Sequence, residues 1–589
     1  MLKKGIAVSP GVAVGTAYCI HEVFVNPDRS RLSIDDVPAE WEAFKVALAK
    51  SIAEVRALRE KVTRQVGKQA AAVFAVHESI LGDRVFVERI RDSIHDSLMS
   101  AQAALAELVN FYREQLSRSN NEYLRQRVDD VRDVVMRLTS HLSDALAEDS
   151  QVLPGPLIVV ADEFLPSQAV MMGNHPVSGI VTRGGSQTSH AAIIARSRGI
   201  PAVSGVKGIL TQVKTGDSII VDGRGGHVLI SPDAETKAAY LKLEREFVDL
   251  RDQLADNRDQ PAKTACGLPI ELLANINDVS GAKAAKAMGA TGVGLFRTEY
   301  LYLTHTDVPN EQEQVTAYRS IIDTLPDLDI TIRTLDIGGD KTVPFLGRNH
   351  NESNPFMGWR SIRLSFEHPD FFMTQIRAIL RAAAKSNRRQ KRVKILFPMV
   401  TNLEELRRLR AIVRRAEKQL RTRGFKFGSV EFGMMVEVPA AAVMMDQLAP
   451  EVDFVSVGSN DLVQYLMAAD RDNPKVAHLC QPLSPAVLRT LELVIRNCRE
   501  ANVPVTVCGE MAGQPAAVVA LLGMGLRRFS MSPSFVPTIK EIASHFTIEQ
   551  CEAIWQKVQR ERTTNRIQKL LNDAILETAP QLRPLIASS

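Results

Sequence analysis

Four groups of residues in this 589-residue chain combine types and spacings that could do chemistry. Residues 184–197, GGSQTSHAAIIARS, set a glycine pair and Thr188-Ser189 before His190 at the opening of an alanine-rich helical run. A glycine-rich turn entering a helix leaves backbone N–H groups facing outward toward an anion. His190 could therefore be a nucleophile whose phosphorylated form those donors stabilise, although a solitary histidine is more often structural. The second group is cationic: Arg297 in LFRTEY, Arg333 in TIRTLDIGGDK with Lys341 at its end, Arg360 in NPFMGWRSIR and Arg471 in AADRDN. A guanidinium keeps its charge wherever it is put, so arginines at the ends of apolar runs need either salt-bridging acids or an anionic ligand. A small molecule carrying phosphate and carboxylate suits bidentate forks of this kind. The third group, Glu437 in MMVEVP and Asp461 in GSNDL, offers hard oxygen donors without neighbouring His or Cys, the preference of Mg²⁺, or else two acids balancing the arginines. Asn460 adds an uncharged polar group beside Asp461. In VCGEMAG, Cys508 ends an apolar run; such a thiol is usually core packing, but a tuned one could give or take a proton.

The elements that must hold these residues change in texture along the chain. Between Ala39 and Leu153 there is no proline, the only glycines are Gly67 and Gly82, and Trp41, Phe44, Leu48, Ile52, Val55 and Leu58 recur at steps of three or four. That is a helical block, and its polar breaks near Gly82-Asp83 and Ser117–Asn121 predict about four helices packed as a bundle. Short β-rich runs flank it: GIAVSPGVAVGTAYCI before, and LIVVADEF, GIVTRGG, IPAVSGV and SIIVDG after. They predict one α/β domain with the bundle inserted. A charged stretch from Asp233 to Asp259, with Leu243, Phe247, Leu250 and Leu254 along one side, predicts an exposed linker helix with an apolar seam. After Pro261, LLANI, GVGLFRTEY, ITIRTLDIGG, VKILFPMV, FGMMVEVP, FVSVGSNDL, VTVCGEM and RRFSMS alternate with longer helical stretches. Eight βα units predict a (β/α)8 barrel, whose chemistry belongs at the downstream strand ends, where Arg297, Asp336, Glu437, Asn460, Asp461, Cys508 and Glu510 stand.

Composition excludes several classes. With 72 Lys+Arg against 68 Asp+Glu the net charge is only +4, far from the basic excess a nucleic-acid partner requires. The six cysteines form no CxxC pair, no apolar run approaches a membrane span, and Pro10 interrupts the apolar start, so a cytoplasmic, reducing setting without membrane insertion is expected.

Taken together, KGIAVSPGVAVG, YLRQRVDDVRD, GGSQTSHAAIIARS, GLFRTEYLY, RTLDIGGDK, NPFMGWRSIR, FPMV, VEVPAA, GSNDLVQY, CGEMAG and GMGLRRFSMS resemble enzyme I of the phosphoenolpyruvate:sugar phosphotransferase system over essentially the whole chain. The resemblance implies an α/β multidomain protein. A swivelling phosphohistidine domain (1–30 and 148–230) carries an inserted helical domain (31–147) that docks the phosphocarrier protein HPr. A linker helix (231–261) leads to a phosphoenolpyruvate-binding TIM barrel that also dimerises (262–575). It further implies a phosphoryl relay from phosphoenolpyruvate to His190 and then to HPr, with release of pyruvate. Arg297, Arg333, Lys341, Arg360, Asn460, Asp461 and Arg471 would bind substrate, Glu437 and Asp461 would hold Mg²⁺, and Cys508 would protonate the enolate. The protein would be a cytoplasmic homodimer.

Two departures accompany the resemblance. Ser186-Gln187 stands where the family has a single arginine, and Gln168-Ala169 stands where a threonine hydroxyl is usual. A regulatory scaffold binding HPr-like partners, or a fragment of a dikinase-like synthase, would share parts of the pattern. The second reading lacks an ATP-binding domain, and the first has no need of Glu437, Asp461 and Cys508 together.

Overall fold

The computed structural model describes residues 1–9, 11–20, 32–65, 72–117, 122–142, 155–162, 177–184, 195, 200–303, 308–338, 352, 354–384, 393–471, 473 and 475–586. The chain divides into two compact units, Met1–Phe247 and Val248–Ala587.

In the first unit the described residues form eight strands, most of them rich in β-branched residues: β1 (Leu2–Lys4), β2 (Ile6–Ser9), β3 (Val12–Ile20), β4 (Leu157–Ala161), β5 (Val177–Thr182), β6 (Ala202–Ser204), β7 (Ser218–Asp222) and β8 (His227–Ile230). They make one mixed sheet in the order β1-β8-β7-β3-β4-β5-β6-β2. β3 and β4 are hydrogen-bonded parallel neighbours, so the helical block leaves the sheet after one central strand and returns to the next. β1 and β8 were not among the sequence candidates; each has only three or four residues, too few to establish a period.

The described residues of the block form five helices where about four are expected: α1 (Val37–Gln65), α2 (Ala72–Leu81), α3 (Arg84–His95), α4 (Ala101–Ser117) and α5 (Glu122–Leu142). The break at Gly82-Asp83 is capped by Asp83, whose carboxylate accepts the Val85 N–H. The additional break follows α3. There Leu98 takes a left-handed conformation (φ 54°), and the Met99 N–H reaches back six residues to the Ser93 carbonyl at 3.2 Å, closing the end of the helix. Neither glycine nor proline marks it, so the sequence carries no warning. Phe44 and Val55 are fully buried with Phe74, Ile90, Leu105 and Val135, and Trp41, Leu48, Ile52 and Leu58 pack against them.

The charged stretch forms a helix, Ala234–Asp256, and residues of its apolar seam are packed. Leu243 packs on Val12, Val14 and Ile220 of the sheet, whereas Leu254 belongs to the core of the second unit.

The second unit is a closed barrel of eight parallel strands: β9 (Glu271–Ile276), β10 (Gly292–Arg297), β11 (Asp329–Arg333), β12 (Val393–Phe397), β13 (Glu431–Val436), β14 (Phe454–Val457), β15 (Val505–Val507) and β16 (Arg528–Met531), with β16 pairing back to β9. These are the eight runs the sequence proposes. Alternation divides their side chains between two environments. Val455 and Val457, like Ile395, Phe397, Met434 and Val436, pack toward the helical shell, while Leu295, Leu396, Met435, Phe454 and Cys508 form a separate apolar layer on the axis. The shell core continues to Leu582 and Ile586 near the C-terminus. Among the described residues, no helix is long and apolar enough to cross a membrane.

Within the bundle, Arg137 of α5 is 3% exposed and pairs with Glu54 of α1 at 2.5 Å, and His141 shares the same carboxylate at 2.9 Å. Removing the acid strands a guanidinium in the bundle, so Glu54→Ala should destabilise this unit by about 3 kcal/mol. Calorimetry of the full chain is expected to show a lowered N-terminal transition and an unmoved barrel transition; two unmoved transitions would refute a structural role for the pair.

Candidate active site

Buried charge gathers at the C-terminal ends of the barrel strands. Arg333, the last residue of β11, pairs through Nη2 with Glu299 Oε1 at 3.0 Å and through Nη1 with Asp336 Oδ2 at 3.2 Å. Arg360 grips both Asp336 oxygens at 2.9 and 3.0 Å, approaches Asp461 Oδ2 at 3.5 Å, and donates to the Tyr465 hydroxyl at 3.2 Å. Asp461, in the first turn of the helix Ser459–Met467, faces Arg471 Nη1 at 3.3 Å. Glu437 follows β13 directly and is 1% exposed; its Oε1 accepts the Met399 N–H at 2.6 Å.

Local backbone features hold these groups. Gly338 bridges to Arg360 with φ at +115°, where a Cβ would stand 2.4 Å from the Trp359 carbonyl oxygen. A side chain at Gly458 would come 2.6 Å from Glu437 Oε2. Two non-glycine residues at the mouth take positive φ, Ser361 after Arg360 (61°) and Met399 (56°), whose N–H is thereby aimed at Glu437. Backbone strain of this kind persists only where surrounding contacts over-determine it. A buried amide supplies some of them. Gln375 accepts the Leu335 N–H at 3.0 Å and donates to Thr298 Oγ1 at 3.2 Å, and that hydroxyl donates to the Arg333 carbonyl at 3.0 Å.

Arg297 differs from its neighbours. It ends β10, and neither a hydrogen bond nor an ion pair engages it among the described residues; burial, then the nearby Arg333 charge, pulls its pKa down. Its inward placement depends on a register shift in β10. Val293 and Phe296 both face the shell and Leu295 faces the axis, so the irregularity reverses the parity of the strand and turns Arg297 toward the mouth. A half-buried guanidinium that makes no ion pair among the described residues is what an anion would complete.

Cys508, 2% exposed, donates its thiol to the Val457 carbonyl at 3.3 Å. Burial pushes the thiol up to about 11, against the lowering influence of Ser456, so it carries its proton at neutral pH. Glu437 is pushed up to about 8, first by burial and then by Asp461 and Asp336, with Arg333 and Arg360 opposing. Asp461 Oδ1 is buried and is turned toward Arg471 Nη1 at 3.3 Å, an ion pair without the geometry of a hydrogen bond. A buried carboxylate that resists ionisation beside a second buried carboxylate fits a divalent cation. No group of three or more His, Cys, Asp or Glu side chains forms a cage among the described residues, so such a cation would depend on water and ligand oxygens as well.

Of the residues singled out in the sequence, Arg333, Arg360, Glu437, Asp461 and Arg471 meet in this network, and Arg297 and Cys508 adjoin it. Asn460 serves the backbone: its Oδ1 accepts the Glu510 N–H at 3.0 Å, joining the loops after β14 and β15. His190, Lys341, Ser186, Gln187, Gln168 and Ala169 lie outside the described residues. Sequence reasoning missed Glu299, Tyr465 and Gln375, and named Asp336 only for its place at a strand end. Glu299 lies two residues after Arg297 within LFRTEY, the one signal that could have drawn attention to it.

Three family models match the chain: "PEP-utilising enzyme, N-terminal" over residues 4–127, "PEP-utilising enzyme, mobile domain" over 153–226 and "PEP-utilising enzyme, PEP-binding domain" over 251–548. A phosphoenolpyruvate-protein phosphotransferase of Bacillus sp. (strain S) is 40% identical over 535 residues, covering 90% of this chain and 91% of that one. One from Listeria monocytogenes is 37% identical over 573 residues, covering 96% and 98%. Among solved structures, an NMR structure of Enzyme I (nEIt) covers 42% of this chain and 99% of its own, at 32% identity and a TM-score of 0.34.

Since Glu437 is protonated below about pH 8 in the metal-free protein, a cation must displace that proton to bind. Affinity should be flat well above pH 8 and fall as pH drops through it, to about a hundredfold below that plateau at pH 6, with nearly one proton released per metal at the lower pH. Calorimetric titration with Mn²⁺ in buffers of different ionisation enthalpy reads both quantities. Constant affinity across this range would mean that Glu437 is not a ligand.

Proposed function

This chain belongs to the phosphoenolpyruvate-protein phosphotransferase family, and we propose that its barrel mouth is where phosphoenolpyruvate gives up its phosphoryl group to His190. The observation that carries this assignment of residues is Arg297, a half-buried guanidinium that makes no ion pair among the described residues, standing near a protonated thiol and Arg333. Phosphoryl transfer consists largely of positioning and of neutralising charge on the equatorial oxygens. Arg297 and Arg333 take the phosphate, and Arg360 and Arg471 hold the acidic groups and the substrate carboxylate in place, with Lys341 completing the cationic set. Asn460, by joining two loops, keeps Asp461 oriented. Glu437 and Asp461 hold the cation, for which Mg²⁺ is the best match to hard oxygen donors lacking an all-protein cage. Bound there, Mg²⁺ supplies charge neutralisation on the phosphate oxygens.

His190 attacks phosphorus in line, and the P–O bond to the enol oxygen breaks. The enolate then takes the Cys508 proton at carbon, giving pyruvate. A thiol raised to about 11 suits this role, because it stays protonated until a strongly basic carbanion centre demands the proton. Phosphohistidine next passes its group to HPr docked on the helical block, as the first step of a sugar phosphotransferase system in the cytoplasm. The apolar helical surface of the barrel provides the face for homodimerisation.

Arg297→Ala should remove about 3 kcal/mol of transition-state stabilisation, on the order of a hundredfold in kcat/KM, with the fold intact. A loss below about tenfold would return this arginine to a structural role. His190→Ala should abolish labelling from phosphoenolpyruvate while substrate binding persists; an acid-labile phosphate in that variant would assign the acceptor elsewhere. By sedimentation, residues from 262 onward should be dimeric and residues 1–230 monomeric, and a dimeric N-terminal part would overturn the assignment of the interface.

A further inference from the structure

If Cys508 gives its proton to the enolate, as proposed above, the resulting thiolate must be reprotonated before the next turnover. Leu295, Leu396, Met435 and Phe454 surround it with hydrocarbon, and pyruvate occupies the mouth. The interior of the barrel offers a second approach. Below the apolar layer lies a cavity of about 150 Å³ at the opposite, N-terminal end of the strands, lined by Ser456, Thr506, Thr331, Lys394 and Asp329. At its rim Arg528 and Glu271, paired at 2.8 Å, keep 28% and 46% of their side-chain surface in solvent. The cavity is polar, reaches water and has room for several water molecules.

Ser456 connects the cavity to the thiol. Along β14 it faces the axis between two shell-facing valines, Val455 and Val457, and Cys508 bonds the Val457 carbonyl through both N–H (2.9 Å) and thiol (3.3 Å). Ser456 Oγ is 1% exposed and lacks a hydrogen bond of full geometry among the described residues, yet it stands beside Cys508. A buried hydroxyl without a partner is costly unless it has a use. Its neighbours on the two sides are a thiol and a cavity that can hold water.

We propose that Ser456 relays protons from this cavity to Cys508, so that the enolate is protonated from the mouth side of the apolar layer while the donor is recharged from behind it. The thiol S–H bond breaks as the pyruvate C–H bond forms. The serine O–H bond then breaks as S–H is remade, and a cavity water returns a proton to the serine oxygen, drawing in turn on bulk solvent. No electrons are gained or lost, and the net uptake is one proton per pyruvate.

Two measurements on the full chain separate recharging from chemistry. With enzyme in excess over phosphoenolpyruvate and Mg²⁺ present, the first turnover begins from a protonated thiol and needs no relay. Exchange of pyruvate methyl hydrogens with D₂O needs the thiol to exchange with solvent repeatedly. Ser456→Ala is expected to keep the single-turnover rate within about twofold and to slow methyl exchange by at least about tenfold, with Ser456→Thr restoring it. Unchanged exchange, or equal loss of both rates, would overturn the relay. Cys508→Ala tests the underlying assignment separately: it should lose both rates, and a variant that kept them would remove the thiol as donor irrespective of Ser456.

Discussion

Charge balance at the mouth of the barrel is the constraint on which the rest of the structure depends. Glu299, Asp336, Glu437 and Asp461 are all buried there, and burying any one alone would be prohibitive. Arg333 and Arg360 make the arrangement possible by spanning it, each touching two of the four acids. They do not finish it. Glu437 remains hard to ionise, and Arg297 makes no ion pair among the described residues. The unmet demand is therefore for a cation at one place and an anion at another. A site that met its own demands completely would be more stable and would have nothing left with which to bind.

Holding such a cluster requires a frame that cannot relax. The closed barrel supplies it, because each strand end is fixed by register with two neighbours. The loops beyond the strands are fixed by buried polar contacts of high specificity: Gln375 between Thr298 and Leu335, Asn460 between the loops after β14 and β15, and the Met399 N–H on Glu437. Positive φ at Ser361 and Met399 is tolerable under these conditions, since every alternative conformation would break a buried hydrogen bond or an ion pair.

The strands of the barrel were legible because βα alternation writes itself over some three hundred residues, and polar residues at downstream ends stand out against the apolar runs before them. What escaped detection has a common physical origin. Glu299, Tyr465 and Gln375 acquire their roles only through contacts between elements far apart in the chain, which one-dimensional spacing does not record. The break after α3 rests on Leu98 adopting a conformation usually left to glycine. Arg297 is the instructive case, since simple alternation from Val293 would have sent it to the helical shell. Only the register shift in β10 delivers it to the mouth, so its identification from the sequence depended on chemistry and not on periodicity.

The apolar layer of Leu295, Leu396, Met435 and Phe454 gives the barrel two chemically distinct ends. On one side, excluding water strengthens every charge interaction and protects a carbanion from uncontrolled protonation. On the other, water is admitted to a polar cavity. Cys508 belongs to the layer itself, and that position reconciles two opposing needs. In the role proposed for Cys508, a proton donor to carbon must be weakly acidic, which burial secures by raising the thiol, but burial also removes the solvent that would renew it. In the relay proposed here, Ser456, a hydroxyl on the axis in place of another branched hydrocarbon, admits a proton without admitting the mouth to water.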